Sequence, residues 1–430
     1  MRKLFLFVLL ATSLHSQAQE LYFPPLLGST WETTTPEQLQ WCTDTLPHLY
    51  DFLDSTNTKA FLLLKDGKIV LEWYFGTFTQ DSTWYWASAG KSLTAFLVGL
   101  AQEQGFINID ASSQTYLGEG WSSLTPSQES AITVRHHLSM TTGLDDTAGA
   151  SDCTDPACLT YLAQPGERWA YHNAPYTLLD NVLLGASGNN ATQWVFNELT
   201  LNTGITGAFI NVEYNNVFFS KARSMARFGL LMLANGTWNG NTIMSDVEYF
   251  QSMITPSQTL NQSYGYLWWL NGQSSFMIPQ TQFVFPGSLM PDAPDEIYAA
   301  EGKNGQMINV VPTQGLVMVR MGDNPDTGLI STTYNSRIWT YLNQVLCTPT
   351  NTVSDHILTN MRPFPNPAVS DLWLNVSAPT DYAIVNMMGQ CLQKGSTVGH
   401  INIAALSAGT YLLQLNQGEA SSAFSFVKSE

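Results

Sequence analysis

The stretch YWASAGKSLTAFLVGL, residues 85–100, sets the strongest limit on how this chain folds. Leu93, Phe96, Leu97 and Leu100 recur at i, i+3, i+4 and i+7, the spacing of one helix face. Gly105 supplies a helix stop. A helix this apolar has to be covered by the rest of the chain. Just before it, KAFLLLKDGKIVLEWYFG (59–76) places two apolar runs around Asp66-Gly67, a strong hairpin signal. Ser88 therefore stands at the N-terminal end of a buried helix that follows a hairpin.

The remaining pattern completes this arrangement. A helix is expected from Thr35 to Leu53, with Pro36 in its first turn. Residues 133–144 read as a short helix ending near Gly143, and 220–236 as a longer amphipathic one with a Gly stop. Strand character returns at 264–270, 296–312 and 315–322, and a last helical pattern covers about 333–346. The order strands, helices, strands, helix predicts an α+β domain over about 25–350. Its central antiparallel sheet uses both ends of the chain, and a helical subdomain is inserted between them. Three prolines, at 363, 365 and 367, mark a linker that we draw at 351–365. Short strand-like runs beyond it predict a small all-β module over 366–430.

The N-terminus, MRKLFLFVLLATSLHSQAQ, has Arg2 and Lys3, an apolar stretch from Leu4 to Ala11, and small residues Ser16 and Ala18. Residues 1–18 read as a secretory signal peptide. Export makes disulfides permissible for the five cysteines. Cys153 and Cys158 are near enough to staple a loop, and Cys42 and Cys347 lie near the ends of the main body; buried free thiols remain the alternative. The formal net charge of -17 disfavours nucleic acid as a partner, because phosphate contacts need clustered Lys and Arg. Only seven histidines and no knuckle spacing leave no metal or other cofactor called for.

Ser88 and Lys91, three apart on a helix, share one face. A serine hydroxyl becomes a nucleophile when a base takes its proton, and a lysine serves as that base when burial lowers its pKa. S-x-x-K alone is common by chance and equally describes a helix cap with a solvent-facing lysine. Two further segments bear on the choice. RWAYHNAPY (168–176) offers Tyr171 and Asn173, one residue apart, for proton relay and amide binding. GKNGQ (302–306) interrupts an apolar strand; Gly305 permits close backbone approach, and Gln306 could join Ser88 in donating backbone N–H groups to an oxyanion. A bulge or hairpin turn with an exposed lysine describes the same residues without function.

Taken in order, SAGK (88–91), YHN (171–173) and KNG (303–305) resemble the penicillin-recognising serine hydrolase family: class C β-lactamases, DD-peptidases, esterases and 6-aminohexanoate-dimer hydrolase. The resemblance covers about 55–347. It implies a β-lactamase/transpeptidase-like fold and a Ser88, Lys91, Tyr171 acyl-enzyme mechanism, with Ser88 and Gln306 as the oxyanion hole. Asn173, Lys303, Asn304, Gly305 and Trp268 are then the substrate-binding candidates. Asn304 departs from the family's usual Thr or Ser. The implied substrate is a small ester or amide, with the esterase and aminohexanoate-hydrolase branch ahead of β-lactamase or D-Ala-D-Ala carboxypeptidase. A non-catalytic binding protein on the same fold is the rival class. The tail phrases PNPAVSDLWLNV, VNMMGQCLQKG and INIAALSAGTYLLQL resemble the type IX secretion sorting domain. That resemblance implies the type IX machinery as a partner and a secreted or cell-surface protein of a Gram-negative bacterium, exported through the periplasm.

Overall fold

A computed structural model describes residues 21–147, 151–325 and 332–347, together with 363–429 apart from 375, 377–378, 387–389 and 418–419. The expected signal peptide and most of the expected linker lie outside the described residues. The chain divides into two compact units, with the division at residues 347 and 348.

The larger unit is built on an antiparallel sheet. Strands β1 (Thr58–Lys65) and β2 (Lys68–Tyr74) form the predicted hairpin. Asp66 and Gly67 turn it with φ of 49° and 85°, as a tight two-residue connection between twisted strands requires. Helix α1 (Leu46–Ser55) precedes them. The short strand β3 (Thr83–Tyr85) then leads to helix α2 (Gly90–Glu103). Helix α3 (Asn173–Ser187), strands β4 (Ala208–Val212) and β5 (Asn215–Lys221), and helix α4 (Ala222–Leu233) follow. The chain returns to the sheet through β6 (Trp269–Leu270), β7 (Tyr298–Gly302), β8 (Gln306–Val311) and β9 (Leu316–Gly322), and this unit ends in helix α5 (Thr332–Leu346).

The sheet order is β2-β1-β9-β8-β7-β6. The N-terminal hairpin thus pairs with strands some 250 residues later, Leu62 facing Val319 across the β1–β9 ladder. A second sheet, β3-β5-β4, lies beside the start of α2. Every residue of α2 from Gly90 to Ala101 is buried. Its apolar side chains each contribute about 1.5–3 kcal/mol on burial. The helix is packed so closely that a Cβ on Gly99 would come within 2.3 Å of the Tyr249 ring.

Some boundaries differ from the sequence pattern. The 35–53 region becomes helical only after Cys42, as a 3-10 turn over Thr43–Thr45 and then α1 from Leu46, because Gln40 takes φ 58° and Cys42 donates its N–H to the Val345 carbonyl at 2.9 Å. The Cys42–Cys347 disulfide closes this same contact at the end of α5, and Cys153–Cys158 forms the second bridge. The short helix at 133–144 stops at Leu138, since Met140 has φ 58°. The run 296–312, read as one interrupted strand, is the two-stranded β7–β8 hairpin.

The smaller unit is all-β. Four strands, Thr380–Asn386, Cys391–Thr397, Gly409–Gln417 and Ala420–Lys428, form one sheet, and Asp371–Trp373 pairs with His400–Asn402. Its own core contains Leu372, Ile384, Ile401, Leu413 and Phe426. Cys391 is a free, exposed thiol.

Candidate active site

Ser88 lies in a short 3-10 turn, Ala87–Ala89, that feeds directly into α2. The residue before it, Ala87, has φ 46°, a left-handed conformation that costs a β-carbon-bearing residue energy. The turn is held from both sides of Trp86. Its backbone N–H reaches the Phe218 carbonyl at 2.8 Å, and its indole donates to Ser220 Oγ at 2.7 Å, both on β5. The strained serine turn is thereby fixed by the smaller sheet.

One helical turn on, the Lys91 ammonium donates to Ser88 Oγ at 2.9 Å. Lys91 is 3% exposed. Its nitrogen lies 4.2 Å from the Tyr176 ring centroid and 5.1 Å from that of Tyr171. Burial drives its pKa down to about 7, while the Asp152 carboxylate pulls the other way. Burial pushes the Tyr171 phenol well above its ordinary value, and interaction with the Ser88 hydroxyl acts the other way. Ser88, Lys91 and Tyr171 thus meet in one wall of a cavity of about 760 Å³.

Asn173 also lines this cavity, from the first position of α3. Its Nδ2 donates to Asp152 Oδ1 at 2.6 Å instead of holding Lys91. Asp152 accepts only, so the amide orientation is fixed and Asn173 Oδ1 is left buried with no partner. Asp152 precedes the Cys153–Cys158 bridge, and its role was missed in the sequence. Arg168, also in the wall, is taken up by Asp146 at 2.7 Å.

The 302–306 segment needs correction. Lys303–Gly305 form a tight turn, and Asn304 and Gly305 have φ of 64° and 73°. Of the five residues only Lys303 lines the cavity, joined by Glu301 from the strand before it. Gln306 is paired with Gly302 across the hairpin, fully buried, and its side chain exchanges hydrogen bonds with Gly322. Asn304 donates to the Tyr85 hydroxyl at 2.7 Å. A Cβ on Gly305 would lie 2.5 Å from the Arg320 guanidinium, so that glycine makes room for an arginine and not for a ligand. The close approach to Ser88 is made by Gly302, where a Cβ would meet the Ser88 and Ala89 backbone nitrogens at 3.0 and 2.9 Å. Strand β6 covers β7 only at Tyr298 and Ala299, which leaves Glu301 and Gly302 with β8 as their one strand neighbour.

Trp268 is the second correction. It is fully buried, stacked on Phe228 at 6.0 Å and edge-on to Tyr298, away from the cavity. Leu267, at φ 59°, breaks the strand alternation there, and the next ring, Trp269, is the one that stacks on Tyr171 at 5.6 Å.

Glu301 is a site residue that the sequence reading passed over. Asn335 of α5 donates to its Oε1 at 2.7 Å, and its Oε2 has no partner. Burial raises its pKa to about 7 against the lowering effect of that bond. Among the described residues no group of His, Cys, Asp and Glu is placed to hold a metal ion.

Residues 55–327 match the Beta-lactamase family, and 362–429 match the Secretion system C-terminal sorting domain. The chain belongs to the beta-lactamase family and is a serine hydrolase of that fold, carrying a C-terminal sorting tail of the kind that marks proteins for secretion. An uncharacterized protein of Alkalihalophilus pseudofirmus is 24% identical over 307 residues, 63% of this chain and 84% of the relative. Two solved structures share the fold. A putative 6-aminohexanoate-dimer hydrolase from Bacillus anthracis has a TM-score of 0.56 at 16% identity, covering 73% of this chain and 87% of its own. A family VIII carboxylesterase has a TM-score of 0.55 at 13% identity, covering 74% and 100%.

Proposed function

We propose that this protein hydrolyses an ester or amide bond of a small molecule by two-step acyl transfer through Ser88. The observation that carries the reading is Lys91 Nζ at 2.9 Å from Ser88 Oγ, in surroundings that bring its pKa to about 7. A lysine there is free to be neutral near neutral pH, as a base must be. As Ser88 Oγ bonds to the substrate carbonyl carbon, its proton passes to Lys91, directly or through Tyr171. The carbonyl becomes an oxyanion held by the backbone N–H of Ser88 and that of Lys303, the residue that follows the closely approaching Gly302. Collapse breaks the bond to the leaving amine or alkoxide, which takes a proton from Tyr171 as Tyr171 recovers one from Lys91, leaving Lys91 neutral again. Water then attacks the acyl carbon and regenerates Ser88 by the same relay. Tyr171 and Asn173 form the substrate-facing wall opposite the β7–β8 turn.

The esterase and linear-amide branch is favoured over β-lactamase and D-Ala-D-Ala carboxypeptidase. The EGKNGQ segment, with Asn304 where the family usually has Thr or Ser, supports that preference. The tail, in this reading, directs the enzyme through a type IX machinery to the cell surface or the medium. The test is a panel of short esters, linear amides, D-Ala-D-Ala peptides and nitrocefin, each with the parent and Ser88→Ala. Ester or amide turnover lost in Ser88→Ala is expected. Turnover of nitrocefin alone would overturn the branch, and turnover that survives Ser88→Ala would overturn the mechanism.

A further inference from the structure

Two buried acceptors in the cavity wall, Asn173 Oδ1 and Glu301 Oε2, have no hydrogen-bond partner among the described residues. Leaving a buried polar atom unpaired is costly, and two of them around one cavity point to what the cavity receives. Each accepts a hydrogen bond; neither donates one while Glu301 is ionised. The acceptor character is built in. Asp152 takes the Asn173 NH2, and Asn335 takes the other Glu301 oxygen, itself tied to Asn309 at 2.6 Å.

The cations nearby do not cancel this. Arg168 is occupied by Asp146. Lys91 is engaged with Ser88. Lys303 is exposed at the rim, where its charge is screened by water, whereas Glu301 is 2% exposed.

Resting on the serine-hydrolase reading, we infer that Glu301 determines specificity: its free oxygen takes an N–H donor of the substrate and turns away substrates that bring a carboxylate to that part of the cavity. β-Lactams and peptides cleaved beside their C-terminus both carry a carboxylate near the scissile bond. An anion set against the Glu301 carboxylate, with little water between, is disfavoured, and a neutral amide or an ammonium is welcomed. The substrate class is thus an ester or amide that presents N–H donors and no neighbouring carboxylate.

The test uses two nearly isosteric esters, 3-carbamoylphenyl acetate and 3-carboxyphenyl acetate, on the full chain. They differ in whether the leaving group offers N–H or a carboxylate. At pH 8.5, above the value of about 7 to which burial raises Glu301, kcat/KM of the parent should favour the carbamoyl ester by about tenfold or more, and Glu301→Gln should shrink that ratio by about tenfold. The glutamine keeps the oxygen that Asn335 binds. The parent ratio needs no variant, so a misfolded Glu301→Gln does not remove the test. A parent that hydrolyses both esters equally, or a ratio unchanged in folded Glu301→Gln, overturns the assignment while Ser88-dependent turnover leaves the hydrolase reading standing. If neither ester is turned over, or if turnover survives Ser88→Ala, the hydrolase reading fails and this inference falls with it.

Discussion

Two buried cations, Arg320 and Lys91, are treated in opposite ways. Arg320, on β9, is fully buried, and its guanidinium donates to the carbonyls of Asn304, Gly305, Thr56 and Asp323 and to Thr58 Oγ1. Lys91, in the first turn of α2, is nearly as buried and has, among the described residues, one hydrogen bond, to Ser88. Saturation makes Arg320 a clamp that ties the turn carrying Lys303 to the strands behind it. Scarcity makes Lys91 willing to give up its proton. A buried charge stabilises a structure when its donors are used, and it becomes reactive when they are not.

Removing Lys91 should break the comparison most visibly. Lys91→Met is expected to lower kcat/KM by about a thousandfold or more, the upper part of the range for a positioned proton-transfer group. It should also stabilise the fold. The lysine pKa falls from 10.5 to about 7 on folding, so the unfolded chain binds the extra proton between those values and stability rises with pH across that window. The cost of the buried lysine is therefore fully present below pH 7, where it reaches about 5 kcal/mol at most. A melting temperature of Lys91→Met at or below the parent's at pH 6 would show that Lys91 is not held against its hydration.

Tyr171→Phe should reduce acylation by about a hundredfold with the fold unchanged, because it removes a relay hydroxyl and keeps the ring that stacks on Trp269. Stopped-flow acylation rates measure it; a rate within twofold of the parent would take Tyr171 out of the relay. Arg320→Met tests the other cation. It leaves several carbonyls without donors and should destabilise by about 3 kcal/mol in urea unfolding, in contrast to the gain from Lys91→Met. A neutral Arg320→Met would end the view of Arg320 as a clamp.

The finest distinction lies in the pH profile. Activity should rise with pH through about 7 as Lys91 loses its proton. Asp152 raises that pKa, so Asp152→Asn should move the acidic limb of kcat/KM to lower pH by less than a unit. The amide retains a hydrogen-bond acceptor for Asn173. A limb that stays in place, or moves up, would assign it to another group.

The same contrast explains what the sequence could convey. Ser88 and Lys91 were legible because i and i+3 on an apolar helix meet by geometry alone. The sheet was legible through its apolar runs and the Asp66-Gly67 turn, and Tyr171 through its place in a resembling phrase. The β7–β8 turn was underweighted: Lys-Asn-Gly was read first as an interruption of one strand, with a hairpin turn only as the alternative, and Glu301 was passed over. Yet Asn304-Gly305 is itself the strongest short hairpin signal, with both residues at positive φ as that turn demands. Given its due weight, it would have put the turn there and moved the site back to Glu301 and Gly302. Trp268 could not be placed by pattern, since Leu267 at φ 59° reverses the alternation between two adjacent tryptophans. Asp152 gave no signal, because its partner Asn173 lies 21 residues away.

The account turns on Ser88 being the nucleophile, and covalent labelling tests that most directly. Folded parent, Lys91→Met and Ser88→Ala are treated with a fluorophosphonate at pH 8, followed by intact mass and peptide mapping. The account predicts one adduct on the parent, mapped to Ser88, formed far more slowly with Lys91→Met and absent from Ser88→Ala. No adduct on the folded parent, where a reference serine hydrolase reacts fully, or an adduct that Ser88→Ala retains, would contradict it.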